Sequence, residues 1–410
     1  MRPLAANIDF LRRFPKLTGL SGFGLYGSER LPRARSPLTE VTDFGANPGG
    51  LRMFTYLPAN LPRRPALVVV LHGCGQDAVG YDHGAGWSTL AKHYGFALLM
   101  PQQQEINNVN MCFNWFNPED VRRDQGEVAS VRRMIDKMAY DHQIHPRHIF
   151  ITGLSAGGAM TMAMLASYPE LFAAGAVIAG LPFGIAGNVR EALSGMMASP
   201  ARPARDLGDL VRSASDHRGP WPKLSVWHGS ADLTVHPGNA DEIVKQWLDL
   251  HGLPEAPMSE AEVDGYPRQV WWNAEGETVV ESYTISGMAH GTPLGLADND
   301  ERYGTEGAFL IEAGISSSWH IAQFFGLTRR VRNAGAQAEA DAKKEPGTLS
   351  ESAKLLPVVA PVMRPAPDLP TASRSRTASP PNPAPAAKRW RGIDVSGLIT
   401  RLLTAAGWKR

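Results

Sequence analysis

The chain has 410 residues, 43% hydrophobic and 20% charged, which suits a soluble globular protein with either one large α/β domain and appendages or two ordinary domains. Its formal net charge of +1 hides a split: about +4 over residues 1–40, about +9 over 327–410 and about −12 over the body between. An acidic body excludes a broad nucleic-acid-binding face there, and the basic ends read either as contacts for anionic partners or as solvated tails.

Residues 1–45 form a basic lead-in without a strong period. Arg12, Arg13 and Lys16 interrupt any apolar export segment, and Leu17 to Ser28 is glycine-rich, so no standard signal peptide is visible. From Leu51 the pattern changes. Leu67–Leu71 and Phe96–Met100 are short continuous apolar runs, the mark of strands covered on both faces. In Gln125–Tyr140, Val128, Val131, Ile135 and Met138 recur at helical spacing, with charges expected on the opposite face. His148–Thr152 predicts a strand, and the small residues from Gly158 to Ser167 predict a helix behind it. The uncharged run Leu171–Val189 is broken by Gly175, Gly180, Pro182, Gly184 and Gly187. It reads as a buried strand and loop rather than a membrane span.

Strands follow at Leu224–Trp227, around Trp271-Trp272 and at Glu281–Ile285, with helices at Asn239–Leu250 and Ser316–Phe325. Strands alternating with helices predict an α/β fold with a mostly parallel sheet covered on both faces. The catalytic domain is expected over residues 46–326. A linker is expected over 327–391, where ten prolines between Glu345 and Ala387 leave too little apolar surface to offset chain entropy. Val395, Leu398, Ile399, Leu402, Leu403 and Ala406 then share one face of a helix over 392–410. It would dock on its own domain or on an apolar surface.

The chemistry gathers in a few loops. Gly153-Leu154-Ser155-Ala156-Gly157 lies between a predicted strand and a predicted helix, the setting in which a sharp turn exposes a nucleophilic serine. Such a serine needs an imidazole to take its proton and a carboxylate to orient that imidazole, in chain order Ser, acid, His. Asp232, just past the strand Leu224–Trp227, and His290, just past Glu281–Ile285, occupy the required loops. Asp241 and Asp249 fall inside a helical pattern, and Asp264 sits in a turn. His228 and His236 flank Asp232, with His228 a candidate support for it, and His320 lies in a late helix. The oxyanion donors would be the backbone N–H groups of Ala156 and of Cys74, the latter in the glycine-rich loop His72-Gly73-Cys74-Gly75-Gln76. The two cysteines, Cys74 and Cys112, match no metal spacing and leave one bridge or two free thiols equally open.

Five blocks in order resemble the poly(3-hydroxybutyrate) depolymerase family of esterases, within the α/β-hydrolases, over roughly residues 45–325. They are Leu71–Gln76, Cys112–Phe116, Gly153–Met160, Trp227–Asp232 and Gly287–Gly291. The resemblance implies an α/β-hydrolase fold and a serine esterase with Ser155 as nucleophile, Asp232 as acid and His290 as base. It also implies a bridge between Cys74 and Cys112, and Trp115 and Phe116 as lining for an acyl chain, with core packing as their plain alternative. The expected substrates are 3-hydroxyalkanoate oligomers or polymer, with feruloyl or acetylxylan esters as the alternative and a non-catalytic binding protein as the remote one. No metal or organic cofactor is required. On location the signs conflict: the resemblance implies an extracellular enzyme, and the missing export signal argues for the cytoplasm.

Overall fold

The computed structural model describes residues 36–295 and 303–328. The expected helix at 392–410, the linker beyond Thr328 and most of the lead-in lie outside the described residues.

Ten strands form one sheet in the order β1-β2-β4-β3-β5-β6-β7-β10-β9-β8. They are β1 (Thr39–Val41), β2 (Arg52–Tyr56), β3 (Leu67–Leu71), β4 (Ala97–Gln102), β5 (Ile149–Leu154), β6 (Ala174–Ile178), β7 (Lys223–Gly229), β8 (Ser259–Val263), β9 (Tyr266–Trp272) and β10 (Thr278–Ile285). The run from β4 through β10 in that order is parallel, and antiparallel strands close both edges. A separate pair, β11 (Thr292–Leu294) and β12 (Leu310–Glu312), follows the His290 loop.

The central strand β3 is apolar at every position because both faces of the sheet are covered. Leu67, Val69 and Leu71 pack on one side with α4 (Gly126–His142), α5 (Ala156–Ser167) and α8 (Gly238–His251). Val68 and Val70 pack on the other with α1 (Ala78–Ala85), α2 (Trp87–Tyr94) and α9 (Ser317–Phe324). Three further helices, α3 (Pro118–Val121), α6 (Val189–Met197) and α7 (Ala204–Arg212), complete the described set. All twelve residues of α5 are buried, so this helix has no polar face.

Two features depart from the sequence reading. The sheet begins at Thr39, inside the stretch read as a lead-in to residue 45. A three-residue edge strand, two of whose side chains are exposed, leaves no periodic trace. The charges of α4 are not all on its outer face either, because Glu127 is fully buried.

Candidate active site

Ser155 occupies the single residue between β5 and α5, with φ 56° and ψ −117°. A non-glycine residue held there carries strain on the order of 1–3 kcal/mol, tolerated where the surroundings over-determine it. Its N–H donates to the carbonyl of Ile178 at 2.8 Å, pinning the turn to β6. Glycine follows at 157 because a Cβ there would press into the carbonyl oxygens of Leu71 and His72. The chain therefore turns tightly against the end of β3.

Asp232 and His290 sit on the loops after β7 and β10, adjacent parallel strands. Those loops are tied together: Ser230 N–H donates to Ile285 O at 3.0 Å, Ala231 N–H to Met288 O at 3.0 Å, and Gly287 N–H to the Ser230 hydroxyl at 2.8 Å. His290 Nδ1 lies 2.7 Å from Asp232 Oδ2. A carboxylate only accepts, so Nδ1 carries a proton, and in the neutral ring Nε2 is the nitrogen with the free lone pair. Asp232 Oδ1 accepts the N–H groups of Thr234 at 2.8 Å and Val235 at 2.9 Å.

His228 completes the shell around the acid. Its Nε2 stands 2.9 Å from Val235 O and 3.2 Å from Asp232 Oδ2, so Nε2 carries the proton. Burial pushes the Asp232 carboxyl up, but hydrogen bonds from His228 and His290 outweigh it and hold the group well below the usual carboxylate range. Ser155 and His290 are almost buried, at 8% and 7% exposure. The hydroxyl makes no hydrogen bond to the imidazole in this state; such contacts often tighten only when substrate is bound.

The loop after β3 lies beside this rim. Gly75 N–H donates to Asn110 O at 2.8 Å, and Cys74 is joined to Cys112 by a disulfide with Cα atoms 4.2 Å apart. The N–H groups of Cys74 and Ala156 donate to no acceptor among the described residues. His72 is fully buried; it accepts the Gln103 N–H at Nε2 (3.1 Å) and so donates from Nδ1 to Gly73 O (2.8 Å). Burial lowers its pKa to about 4 and keeps it neutral.

Gln103 continues the chain: its amide donates to Glu127 Oε1 at 2.6 Å and to Cys112 O at 3.0 Å. Asn114 donates its backbone N–H to Glu127 Oε2 at 2.9 Å and its side-chain amide to Oε1 at 2.8 Å. Burial, then the nearby Asp120 charge, push the Glu127 carboxyl up to about 8. Trp115 is buried within the core beside this loop, and Phe116 meets it edge-on at 5.7 Å. Phe116 also lines an open groove of about 840 Å³ with Asn107, Asn114 and Asp120.

Two residues set aside at the sequence level pair with each other: His320 Nε2 lies 2.8 Å from Asp264 Oδ2. The Gln103–Glu127–Asn114 network is the part that sequence reasoning missed, since a carboxylate on a helix normally marks its wet face. Among the described residues no cluster of three His, Cys, Asp or Glu could hold a metal, and no helix is long and apolar enough to cross a membrane.

Comparison with known proteins gives this geometry its context. The family profile described as esterase PHB depolymerase matches residues 51–265, a span that includes Ser155 and Asp232. Poly(3-hydroxyalkanoate) depolymerase C of Paucimonas lemoignei is 44% identical over 291 residues, covering 71% of this chain and 70% of that protein. An acetylxylan esterase of Coprinopsis cinerea is 34% identical over 62% of this chain and 69% of its own length. The solved acetyl xylan esterase from Aspergillus awamori shares the fold at a TM-score of 0.60 and 24% identity, covering 71% of this chain and 99% of its own. The chain belongs to the esterase PHB depolymerase family and is a carboxylic ester hydrolase with the α/β-hydrolase fold.

Proposed function

We propose that the chain hydrolyses 3-hydroxyalkanoate esters through an acyl-enzyme on Ser155. The observation that carries this reading is the 2.7 Å contact between Asp232 and His290 Nδ1, which fixes the tautomer so that the neutral ring offers its far nitrogen as the base. His290 takes the proton of the Ser155 hydroxyl as its oxygen attacks the ester carbonyl. The N–H groups of Cys74 and Ala156 receive the developing oxyanion, a contribution of about 3–4 kcal/mol per donor. The C–O bond to the leaving alcohol then breaks, and His290 returns the proton to that alcohol. A water molecule, deprotonated by the same ring, frees the acid and restores the serine.

The choice of acyl group rests on the 44% identity to a poly(3-hydroxyalkanoate) depolymerase. Acetylxylan and feruloyl esterases, at 34% and 32% identity, support the second reading, esters on plant polysaccharide. A panel of 3-hydroxybutyrate oligomers, short p-nitrophenyl esters, methyl ferulate and acetylated xylan separates them. The highest kcat/KM on the oligomers is expected; a preference for ferulate or acetylated xylan reverses the substrate assignment. Ser155→Ala should abolish turnover while keeping the folded circular-dichroism spectrum, and retained activity removes Ser155 as the nucleophile.

A further inference from the structure

Glu127 projects from the first turn of α4, a helix whose remaining buried side chains are largely apolar, and the proposed mechanism makes no use of it. A carboxyl group taken wholly out of water needs a reason, and its partners are not in its own helix. It collects three donors from two other segments: the Gln103 amide, which follows β4, and both nitrogens of Asn114, which precedes Trp115. From Gln103 the contacts run on. Its N–H donates to the buried His72, and His72 donates to Gly73 O, one residue before Cys74. From Asn114 the chain returns through Phe113 to Cys112, whose sulfur is bonded to Cys74. Both routes away from Glu127 end on the two sides of the Cys74 N–H.

We infer that Glu127 is a positioning residue for the proposed oxyanion donor, acting as a buried clamp that fixes the 72–76 loop against the 112–116 loop. The inference rests on the reading of Cys74 N–H as that donor. A clamp of this kind does little for substrate in its ground state. It holds one N–H where charge appears only at the tetrahedral stage, so its loss should be felt in the rate rather than in binding.

The test is Glu127→Gln. The glutamine Oε1 can still take two donors, but its NH2 replaces the oxygen that accepts Asn114 N–H, setting donor against donor. With p-nitrophenyl butyrate, well below the melting temperature, kcat should fall about tenfold to a hundredfold. KM should stay within about threefold, and affinity for phenylboronic acid, a tetrahedral mimic, should weaken by a factor similar to the loss in kcat. A wild-type kcat with only a lowered melting temperature would make Glu127 purely structural and overturn the inference. A raised KM at unchanged kcat would also overturn it, moving the role to substrate lining. Should Glu127→Gln not fold, Asn114→Ala keeps the carboxyl and its backbone donor, losing the Asn114 amide donor to Glu127 and the Oδ1 that accepts the Asn108 amide. It should show a smaller loss in kcat of the same kind, and a wild-type kcat there counts against the clamp. Ser155→Ala run alongside separates the layers: turnover surviving in that variant rejects the underlying mechanism, whereas its loss beside an unaffected Glu127→Gln rejects only the clamp.

Discussion

His228 and His290 both direct a ring nitrogen at the same oxygen, Oδ2 of Asp232, at 3.2 and 2.7 Å. With two backbone N–H groups on Oδ1, the carboxylate is surrounded by four donors and has no room to rotate. Its orientation toward the imidazole is therefore set by its neighbours rather than by its own backbone. His228→Leu removes one donor and strands the Val235 carbonyl. We expect kcat to fall about tenfold, on the order of one charge-assisted hydrogen bond.

The same variant makes a pH prediction. A carboxyl whose folded pKa lies below its ordinary value of 3.8 adds stability above that value and loses it as pH falls toward the folded one. Without the His228 donor the folded pKa rises and that contribution shrinks. Acid unfolding followed by circular dichroism should begin at a higher pH in His228→Leu than in the parent, and coincident curves would contradict this role for His228.

Strain at Ser155 gives a separate test. Ser155→Ala keeps the Cβ and hence the unfavourable backbone at φ 56°. Ser155→Gly releases it. Both should be inactive, yet the glycine variant should be the more stable of the two by about 1 kcal/mol, seen as a higher melting temperature.

The Cys74–Cys112 bridge spans 38 residues, and its loss should cost about 2–4 kcal/mol in urea unfolding. Because it also borders the proposed oxyanion loop, reduction should lower kcat before it unfolds the chain. The double variant Cys74→Ala/Cys112→Ala should show the same low kcat with or without reductant. A bridge that only stabilises would leave kcat at the parent level.

Glu127 shapes the alkaline side. Its folded pKa of about 8 stands above its ordinary 4.5, so the folded chain holds a proton the unfolded chain releases. Stability from this group is complete below pH 4.5 and drains as pH rises through about 8. Melting temperatures across that window should decline, and Glu127→Gln should flatten the decline.

Much of this architecture could be read from residue patterns. Val68 and Val70 face one core while Leu67 and Leu71 face the other, so a strand buried on both sides shows as an unbroken apolar run. Ser155 could be found because its glycines answer a local steric demand. Asp232 and His290 could be found because each follows a strand directly. Asp264-Gly265 marked a turn, and both residues have positive φ between the paired β8 and β9. What stayed hidden depends on long-range contact. Glu127 looks like any helix carboxylate until Gln103 and Asn114 are folded against it. The His320–Asp264 pair joins positions 56 residues apart, with no periodic signal in either.

Among the six parallel strands, β6 contributes none of the proposed reacting side chains, yet it lies between β5 and β7. Two inter-strand spacings, about 10 Å, therefore separate the strand ends that carry serine and carboxylate. In the proposed mechanism the His290 imidazole links the two across a gap whose width the sheet sets. A bulge in β6 that pushed its neighbours apart would widen that span without touching any reacting atom, so a strand with no chemistry of its own still sets the geometry of the proposed site.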